Sequence, residues 1–275
     1  MQYMGGKSRI SKCISEVINE VSRRKVENCI EDSGHYLGGG INNDCFVSLF
    51  CGSCSVESKV KGFSRKILND KHKYLIDLLN GVKNGYDLPE KITEEEYKYI
   101  KEHKDDDPVL TGFVGFGCSF GGKWFGGYAR NKTGTNYALQ SKKSLMKDMQ
   151  TLMDADFICN DYRDVDLPDE CVIYADPPYD GTTGYGREKF NSKSFWEYAR
   201  SVSQNHLMFI SEQNAPSDFV AIWEKPFTRT LDVNKSNQFK VTEKLFIHKC
   251  NFDHLLSQER ASRNEYYLVR ICSTG

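Results

Sequence analysis

The sequence lacks long apolar runs and an excess of charge of either sign. No apolar segment reaches the roughly 20 residues that a membrane-spanning helix needs, and the N-terminus lacks the apolar core of a secretory signal peptide. The 37 basic and 38 acidic residues nearly cancel, so the net charge of −1 does not point to a nucleic-acid partner. We therefore expect a cytoplasmic protein with no membrane partner.

Internal repeats, low-complexity segments and paired zinc-ligand spacings are also lacking. The ten cysteines are scattered, and several lie inside apolar runs, where a thiol behaves as a small hydrophobic group. Because no export signal is found, we expect these thiols to be reduced. His248, Cys250 and His254 are close in sequence but lack a second ligand pair, so no metal is predicted.

Short apolar, β-prone runs alternate with amphipathic stretches, which predicts an α/β fold. The predicted strands lie at residues 45–50, 67–70, 156–160, 171–175, 206–211, 244–248 and 265–272. The last two are expected to form an antiparallel pair at the edge of an otherwise mostly parallel sheet. The predicted helices lie at residues 10–21, 139–153 and 195–203.

The most informative segment is Asp176-Pro177-Pro178-Tyr179, which directly follows the predicted strand 171–175. Open α/β sheets bind ligands at the carboxyl ends of their strands, so this position favours a functional site. Proline fixes φ, lacks an N–H donor and restricts the residue before it, which makes the loop stiff. A carboxylate and a proline carbonyl can both accept hydrogen bonds from one planar amine, and Tyr179 offers a ring for stacking. The alternative is an ordinary turn after a strand.

Other segments have the spacing of a nucleotide-binding α/β unit. The chain opens with Tyr3-Met4-Gly5-Gly6-Lys7, and the strand at 45–50 runs into a turn that contains Gly52. About twenty residues beyond that strand, a short strand ends at Asp70, where such units place a carboxylate on ribose hydroxyls. Cys51 and Cys54 have the spacing of a redox pair, but their position after a buried strand favours a ligand-binding turn.

Together these segments resemble the Dam-like DNA adenine-N6 methyltransferases (D12 class, alpha group) over nearly the whole chain. The resemblance implies a Rossmann-like, S-adenosylmethionine-dependent methyltransferase fold with a mixed seven-stranded sheet and an inserted target-recognition domain. It divides the chain into a first catalytic part (1–83), the insert (84–145) and a second catalytic part (146–275). The implied reaction moves a methyl group from S-adenosylmethionine to the exocyclic amine of a flipped-out adenine in double-stranded DNA, leaving S-adenosylhomocysteine.

The resemblance also assigns roles to residues. The implied catalytic residues are Asp176, Pro177, Pro178 and Tyr179. The implied cofactor-binding residues are Tyr3, Lys7, Phe50, Gly52, Asp70, Asp161, Tyr162 and Asp176. Lys7 is expected near the cofactor's carboxylate and Asp161 at its adenine amine, although capping of the next turn is an alternative for Asp161. The chain departs from the family at Cys54, where glycine is usual, so its side chain is expected either to crowd the cofactor or to change the backbone conformation.

Within the insert, a segment rich in glycine and aromatic residues runs from Gly112 to Arg130. Its glycine content disfavours a regular helix, so a flexible loop is predicted. The resemblance places the DNA contact here, with Lys123, Trp124, Tyr128 and Arg130 as binding residues. The loop would present the rings of Phe116, Phe120, Trp124 and Tyr128 to unstacked bases, and Lys123 and Arg130 would contact phosphates. The alternative is a bent loop whose aromatic side chains pack onto the domain.

Three further interpretations stay open at this point. They are an RNA or protein-amide methyltransferase with the same chemistry, a non-catalytic DNA-binding relative, and an unrelated α/β enzyme. The leading Asp of Asp-Pro-Pro-Tyr argues against glutamine methylation, where the similar motif begins with Asn, and against cytosine-N4 methylation, where Ser is usual. A cognate restriction endonuclease, in a bacterial or phage-infected cell, is a further partner that the resemblance allows but does not require.

Overall fold

A computed structural model describes residues 1–33, 45–169, 171–178, 190–230, 238–253 and 255. Of these, residues 24–33, 227–230 and 238–240 are described by their backbone alone. Tyr179, His254 and the strand predicted at 265–272 lie outside the described residues.

The described residues form one mixed sheet with the strand order β3-β2-β1-β4-β5-β7-β6. The strands are β1 (Cys45–Ser48), β2 (Arg65–Asn69), β3 (Asp156–Ile158), β4 (Val172–Ala175), β5 (Leu207–Glu212), β6 (Phe219–Thr230) and β7 (Gln238–His248). Strands β1 to β5 are parallel to one another, and β7 lies antiparallel between β5 and β6. The predicted α/β class with a mixed seven-stranded sheet is confirmed.

Six α-helices lie among the described residues. They are α1 (Ser11–Ser33), α2 (Lys73–Lys83), α3 (Glu94–Glu102), α4 (Pro108–Gly112), α5 (Tyr137–Met149) and α6 (Ser192–Val202). Side-chain caps fix the first residues of several helices. Thr93 and Glu96 form a reciprocal capping box on α3, and Asn136 and Asn191 cap α5 and α6. None of the helices in the described ranges is long and apolar enough to cross a membrane.

Alternate residues of the central strands face opposite sides of the sheet. On one side, Phe46, Tyr174 and Phe209 are buried in a cluster that includes residues of α1, α2 and the predicted insert. On the other side, Val47 and Ile173 belong to a second cluster that includes residues of α6. The core therefore has two layers, and the sheet separates them.

The edge hairpin differs from the prediction. The strand at 244–248 is found within β7 and lies in an antiparallel edge pair, but its outer partner is β6, which the sequence analysis missed. The apolar pattern of β6 is interrupted by Glu224-Lys225-Pro226, which conceals the strand. Proline is tolerated there because β6 is an edge strand, where a missing N–H leaves no neighbour unpaired.

The start of the glycine-rich segment, Gly112 to Gly117, is helical, so the loop prediction is wrong for this part. Helix α4 continues into a π-helical turn over Phe113–Gly117, and Phe113 and Phe116 are completely buried. Gly112 permits this packing, since a Cβ there would lie 2.0 Å from the backbone oxygen of Tyr74 in α2. The insert thus contributes to the same hydrophobic cluster as the sheet, and its boundaries at 84 and 145 stay a prediction.

Candidate active site at the carboxyl edge of the sheet

Asn69 joins the ends of three parallel strands. Its Nδ2 donates to the carbonyl of Leu49 after β1 (3.0 Å) and to that of Asn160 after β3 (3.1 Å). Its Oδ1 accepts from the Asn160 backbone N–H (2.9 Å), and the residue is completely buried. The sequence analysis assigned Asn69 no role, because an Asn at the end of a strand is typical of an ordinary turn. In the structure it fixes the loops that carry the predicted cofactor residues.

The turn after β1 brings together Tyr3, Gly52 and Asp70, three of the residues for which a cofactor role is predicted. Gly52 has φ +49°, and its N–H donates to Asp70 Oδ2 (3.0 Å). The His72 N–H donates to Asp70 Oδ1 (2.9 Å). The Tyr3 ring covers Gly52 so closely that a Cβ there would lie 3.0 Å from Tyr3 Cε1. Burial raises the pKa of Asp70, and the two backbone donors oppose this shift.

Cys54 adopts the backbone conformation that glycine usually provides. Its φ is +57°, a left-handed value that costs roughly 1–2 kcal/mol for a residue with a side chain. The side chain is 1% exposed and belongs to the core cluster. Cys54 therefore keeps a glycine-like backbone conformation in spite of its side chain, and crowding of the cofactor stays a prediction. Cys51 is also a buried free thiol whose pKa is raised well above its ordinary value by burial and by its contact with Cys54.

Asp176 follows β4 and forms an ion pair with Lys7 from the N-terminal motif. Lys7 Nζ lies 2.7 Å from Asp176 Oδ1 and 3.1 Å from Oε1 of Glu243, a residue of β7. The side chains of Lys7, Asp176 and Glu243 are 5%, 18% and 0% exposed. Burial alone would lower the pKa of Lys7, but the two carboxylates outweigh it and the pKa is raised. Behind Asp176, Pro177 is buried and Pro178 is half-buried.

Sequence reasoning missed Glu243. A signal was present, because this glutamate stands in the otherwise β-prone run before Leu245-Phe246-Ile247, and a charged group inside such a strand is rarely buried without a partner. The lysine that pairs with it is more than 230 positions away in the chain. Only the folded chain shows that the two residues meet.

Further acidic groups surround the ion pair. Burial raises the pKa of Glu212, at the end of β5, to about 7, and nearby Glu243 and Asp176 act in the same direction. Burial likewise raises the pKa of Glu57 to about 7, although Ser48 Oγ donates to its Oε1 (2.8 Å). The site is therefore rich in carboxylates near one lysine.

The remaining predicted cofactor residues lie after β3 and β1. Asp161 caps the 3-10 turn that follows β3, accepting from the Arg163 backbone N–H (3.1 Å), so its capping role is observed. The Arg163 guanidinium also donates to both Asp161 oxygens and lowers the pKa of the carboxyl to about 2. Tyr162 and Phe50 pack against each other with ring centroids 5.3 Å apart. These three residues border the same edge of the sheet as Gly52 and Asp70.

Two of the predicted DNA-binding residues pack inward. The Trp124 ring stacks on Tyr74 at a centroid distance of 5.3 Å and meets the His72 ring edge-on at 4.3 Å. Tyr128 is half-buried, and its hydroxyl donates to the backbone oxygen of Ile92 (2.7 Å). Both side chains hold the loop against the domain, which matches the packing alternative for these positions.

The two basic residues predicted to bind phosphates are exposed, whereas Phe116, predicted to meet a base, is completely buried in the core. Arg130 forms an ion pair with Glu94 (2.9 Å) and is 75% exposed, and Lys123 is exposed. Phe120, at the turn of the same loop, is 57% exposed, which is unusual for a large apolar side chain. The loop therefore offers one aromatic ring and two basic groups to a partner.

The loop tip contacts the N-terminal motif. The Met4 N–H donates to the carbonyl of Gly122 (3.1 Å), and a Cβ at Gly122 would lie 2.6 Å from the backbone nitrogen of Tyr3. Because Tyr3 covers Gly52, the exposed Phe120 and Lys123 lie on a loop that is anchored beside the glycine turn.

A metal centre has no support among the described residues. No group of three His, Cys, Asp or Glu side chains in the described ranges is placed to hold an ion. His248 Nδ1 lies 2.9 Å from Cys250 Sγ, and the third residue considered, His254, is outside those ranges.

The strand order and the loops at its carboxyl edge define a Rossmann-like fold of the methyltransferase type. Residues 3–110 match the family model for D12 class N6 adenine-specific DNA methyltransferases. The match extends from the N-terminal motif into α4, so the resemblance is confirmed over this segment and supports a methyltransferase. Asp176 lies beyond the matched range.

Two solved structures resemble the chain at low identity, and no curated protein matches it. A candidate RNA methyltransferase from Pyrococcus horikoshii has 9% identity and a TM-score of 0.36, with 78% of each chain covered. A conserved hypothetical protein from Streptococcus pyogenes has 8% identity and a TM-score of 0.34, with 75% of this chain and 87% of that one covered.

Proposed function

We propose that the chain is a site-specific DNA adenine-N6 methyltransferase that uses S-adenosylmethionine and acts in the cytoplasm on double-stranded DNA. The observation that carries the proposal is the position of Asp176-Pro177-Pro178 at the carboxyl end of β4, next to the Gly52 turn of β1. The family match over the N-terminal half of the site is independent support.

The chemistry of the glycine turn suits the cofactor. Asp70 Oδ1 and Oδ2 each accept one backbone N–H, and each carboxylate oxygen has a second lone pair for a ribose hydroxyl. Because Gly52 has no side chain, the Tyr3 ring packs directly on its backbone, and we assign both residues to the methionine part of the cofactor. We assign Phe50, Asp161 and Tyr162 to the adenine end of the same groove.

Catalysis would depend on positioning and electrostatics. The adenine N6 lone pair is delocalised into the ring, which makes the amine a weak nucleophile. Asp176 and the Pro177 carbonyl would accept from the two N6 hydrogens and favour a tetrahedral nitrogen whose lone pair points at the methyl carbon. S-adenosylmethionine supplies an electrophilic methyl group on a sulfonium.

The Asp176 carboxylate would also stabilise the positive charge that would develop on N6 as the N–C bond forms and the methyl–sulfur bond breaks, with S-adenosylhomocysteine as the leaving group. One N6 proton then leaves to the carboxylate or to water, which completes the reaction without a separate strong base. Pro178 stiffens the loop, and Tyr179 is assigned to stacking on the extruded adenine.

The exposed loop of the insert is the proposed DNA contact. Lys123 and Arg130 would bind phosphates, and Phe120 would stack on an unstacked base. Trp124 and Tyr128 would act indirectly, because their packing fixes the loop. A cognate restriction endonuclease would fit this function but is not required for it.

The experiment is methyl transfer from labelled S-adenosylmethionine to unmethylated genomic DNA and, separately, to RNA. The modified base is identified by mass spectrometry and its positions by sequencing. N6-methyladenine at a short recurring DNA site supports the proposal. Label in RNA alone changes the substrate to RNA, and no label in either overturns the proposal.

A further inference from the structure

Three charged side chains meet at the Asp-Pro-Pro loop, two of them buried (Lys7 and Glu243) and one half-buried (Asp176). Lys7 Nζ bridges Asp176 Oδ1 (2.7 Å) and Glu243 Oε1 (3.1 Å), and the three residues come from the N-terminal motif, the end of β4 and β7. We call Lys7, Asp176 and Glu243 the charged triad. With both acids ionised and the lysine protonated, the triad carries one net negative charge.

The charge of the triad matters for the proposed chemistry. If Lys7 paired with Asp176 alone, the pair would be neutral and would stabilise a developing positive charge on the target amine only weakly. If Lys7 were absent, two carboxylates would face each other with almost no solvent, and one of them would become protonated. Glu243 therefore prevents a neutral Lys7–Asp176 pair, and Lys7 prevents protonation of one of the two carboxylates.

We propose that Lys7 and Glu243 are positioning residues. They keep the Asp176 carboxylate ionised and oriented, and they keep the triad net negative toward the target amine. The inference rests on the proposed function, because it gives Asp176 its part in methyl transfer. Neither positioning residue needs to touch the substrate. Their effect passes through the carboxylate of Asp176.

Other ionisable groups lie near the triad. Glu212 on β5, Glu57 after β1 and the Tyr174 hydroxyl on β4 lie close enough to Asp176 to influence one another's ionisation. On β6, Lys225 stands opposite Glu243 in register, but its Nζ donates to Cys13 Sγ (3.6 Å). Lys7 is thus the lysine among the described residues that contacts both carboxylates.

The test is a double-mutant cycle with Lys7→Met, Glu243→Gln and the combined variant. Glu243→Gln makes the triad neutral, so kcat should fall on the order of tenfold while KM for cofactor and DNA changes little. Lys7→Met leaves two facing acids that share one proton, so kcat should fall at neutral pH and recover as pH rises. The combined variant has one ionised Asp176 and the wild-type net charge, so it should be faster than Glu243→Gln.

A structural role alone predicts the opposite order. If the triad served only packing, removing two members would be worse than removing either, and the combined variant would be the slowest. Rates are normalised to the concentration of sites that bind S-adenosylhomocysteine, which removes any unfolded fraction. Glu224→Gln is the matched control, because Glu224 lies on the adjacent β6, 3.9 Å from Lys244, and is 57% exposed. This control should keep the wild-type kcat.

The outcomes separate this inference from the proposed function. An active wild type with an unchanged kcat in Glu243→Gln overturns the inference alone, as does a combined variant slower than both single variants. A wild type that transfers no methyl group to DNA or RNA overturns both. Recovery of rate in the combined variant, with an alkaline pH profile for Lys7→Met, supports the inference.

Discussion

Lys7 and Asp176 are separated by 169 positions in the chain, yet their side chains form an ion pair with Nζ 2.7 Å from Oδ1. The pair joins the N-terminal motif to the loop after β4, so the two segments on which the resemblance most depends meet in space. The family match includes Lys7 and ends before Asp176. Their contact therefore links the matched part of the chain to the part that lies beyond the match.

Replacing Asp176 tests the proposed chemistry. Asp176→Asn keeps the size of the side chain but removes the charge that would stabilise N6, so kcat should fall by about 100-fold or more. DNA affinity, measured by fluorescence anisotropy, should stay within about threefold because DNA binding is assigned to the insert loop. Asp169→Asn, an exposed position before β4, is the control and should behave as wild type. A wild-type rate in Asp176→Asn would refute the proposed mechanism.

Gly52→Ala should block cofactor binding. An added Cβ lies 3.0 Å from Tyr3 Cε1, and φ is +49°, so crowding and strain combine. Gly62→Ala is a matched control, since Gly62 has φ +85° but no atom within 4 Å of the added Cβ. Both variants should lose about 1–2 kcal/mol of stability. Calorimetry should show a loss of S-adenosylhomocysteine affinity for Gly52→Ala alone, and equal losses in both would contradict the assignment.

Glu57 should make the protein less stable as pH rises. Burial raises its pKa from the ordinary 4.5 to about 7, so between these values the folded state keeps a proton that the unfolded state has lost. Its contribution is fully present below pH 4.5 and is lost as pH rises through 7, by about 3 kcal/mol in total. Glu57→Gln should remove this loss and keep the Ser48 contact.

Urea unfolding at several pH values measures the effect as the difference between wild type and variant. The difference should favour Glu57→Gln increasingly from pH 5 to pH 8. Glu90→Gln, at an exposed position, should show no such trend. A pH-independent difference for Glu57→Gln would mean that the carboxyl titrates normally in the folded protein.

Substitutions of Phe120 and Trp124 should distinguish a DNA contact from a packing role. Trp124→Ala removes ring contacts with Tyr74 and His72 and should lower the free energy of unfolding by about 2–3 kcal/mol. Phe120→Ala should change stability by less than about 0.5 kcal/mol because the ring is 57% exposed. It should weaken DNA binding by about 1–3 kcal/mol if the ring stacks on a base. Unaltered DNA affinity in Phe120→Ala would remove this residue from the interface.

Many of the helices and strands were predictable because they depend on the spacing of apolar residues within a short segment of the chain. Periodicity gave α5, α6 and five of the strands to within a few residues, since alternation and helical spacing reflect which side of an element is buried. It also found α1 and β7, but α1 ends at Ser33 rather than at residue 21, and β7 begins at Gln238 rather than at residue 244. The prediction failed for β6, where Glu224 and Pro226 interrupt the pattern, and for Phe113–Gly117. There, glycine permits close helix packing with α2, and contacts distant in sequence outweigh its low helix propensity.

By itself, the sequence determined the α/β class, the order of the motifs and the side chains at the strand ends, because these follow from local patterns and from residue chemistry. The tertiary structure alone decided which of these side chains meet. It joined Lys7 to Asp176 and to the unforeseen Glu243, turned Trp124 inward and left Phe120 exposed. The physical reason is that ion pairing and burial depend on distances between segments far apart in the chain, and only the packed sheet and helices fix those distances.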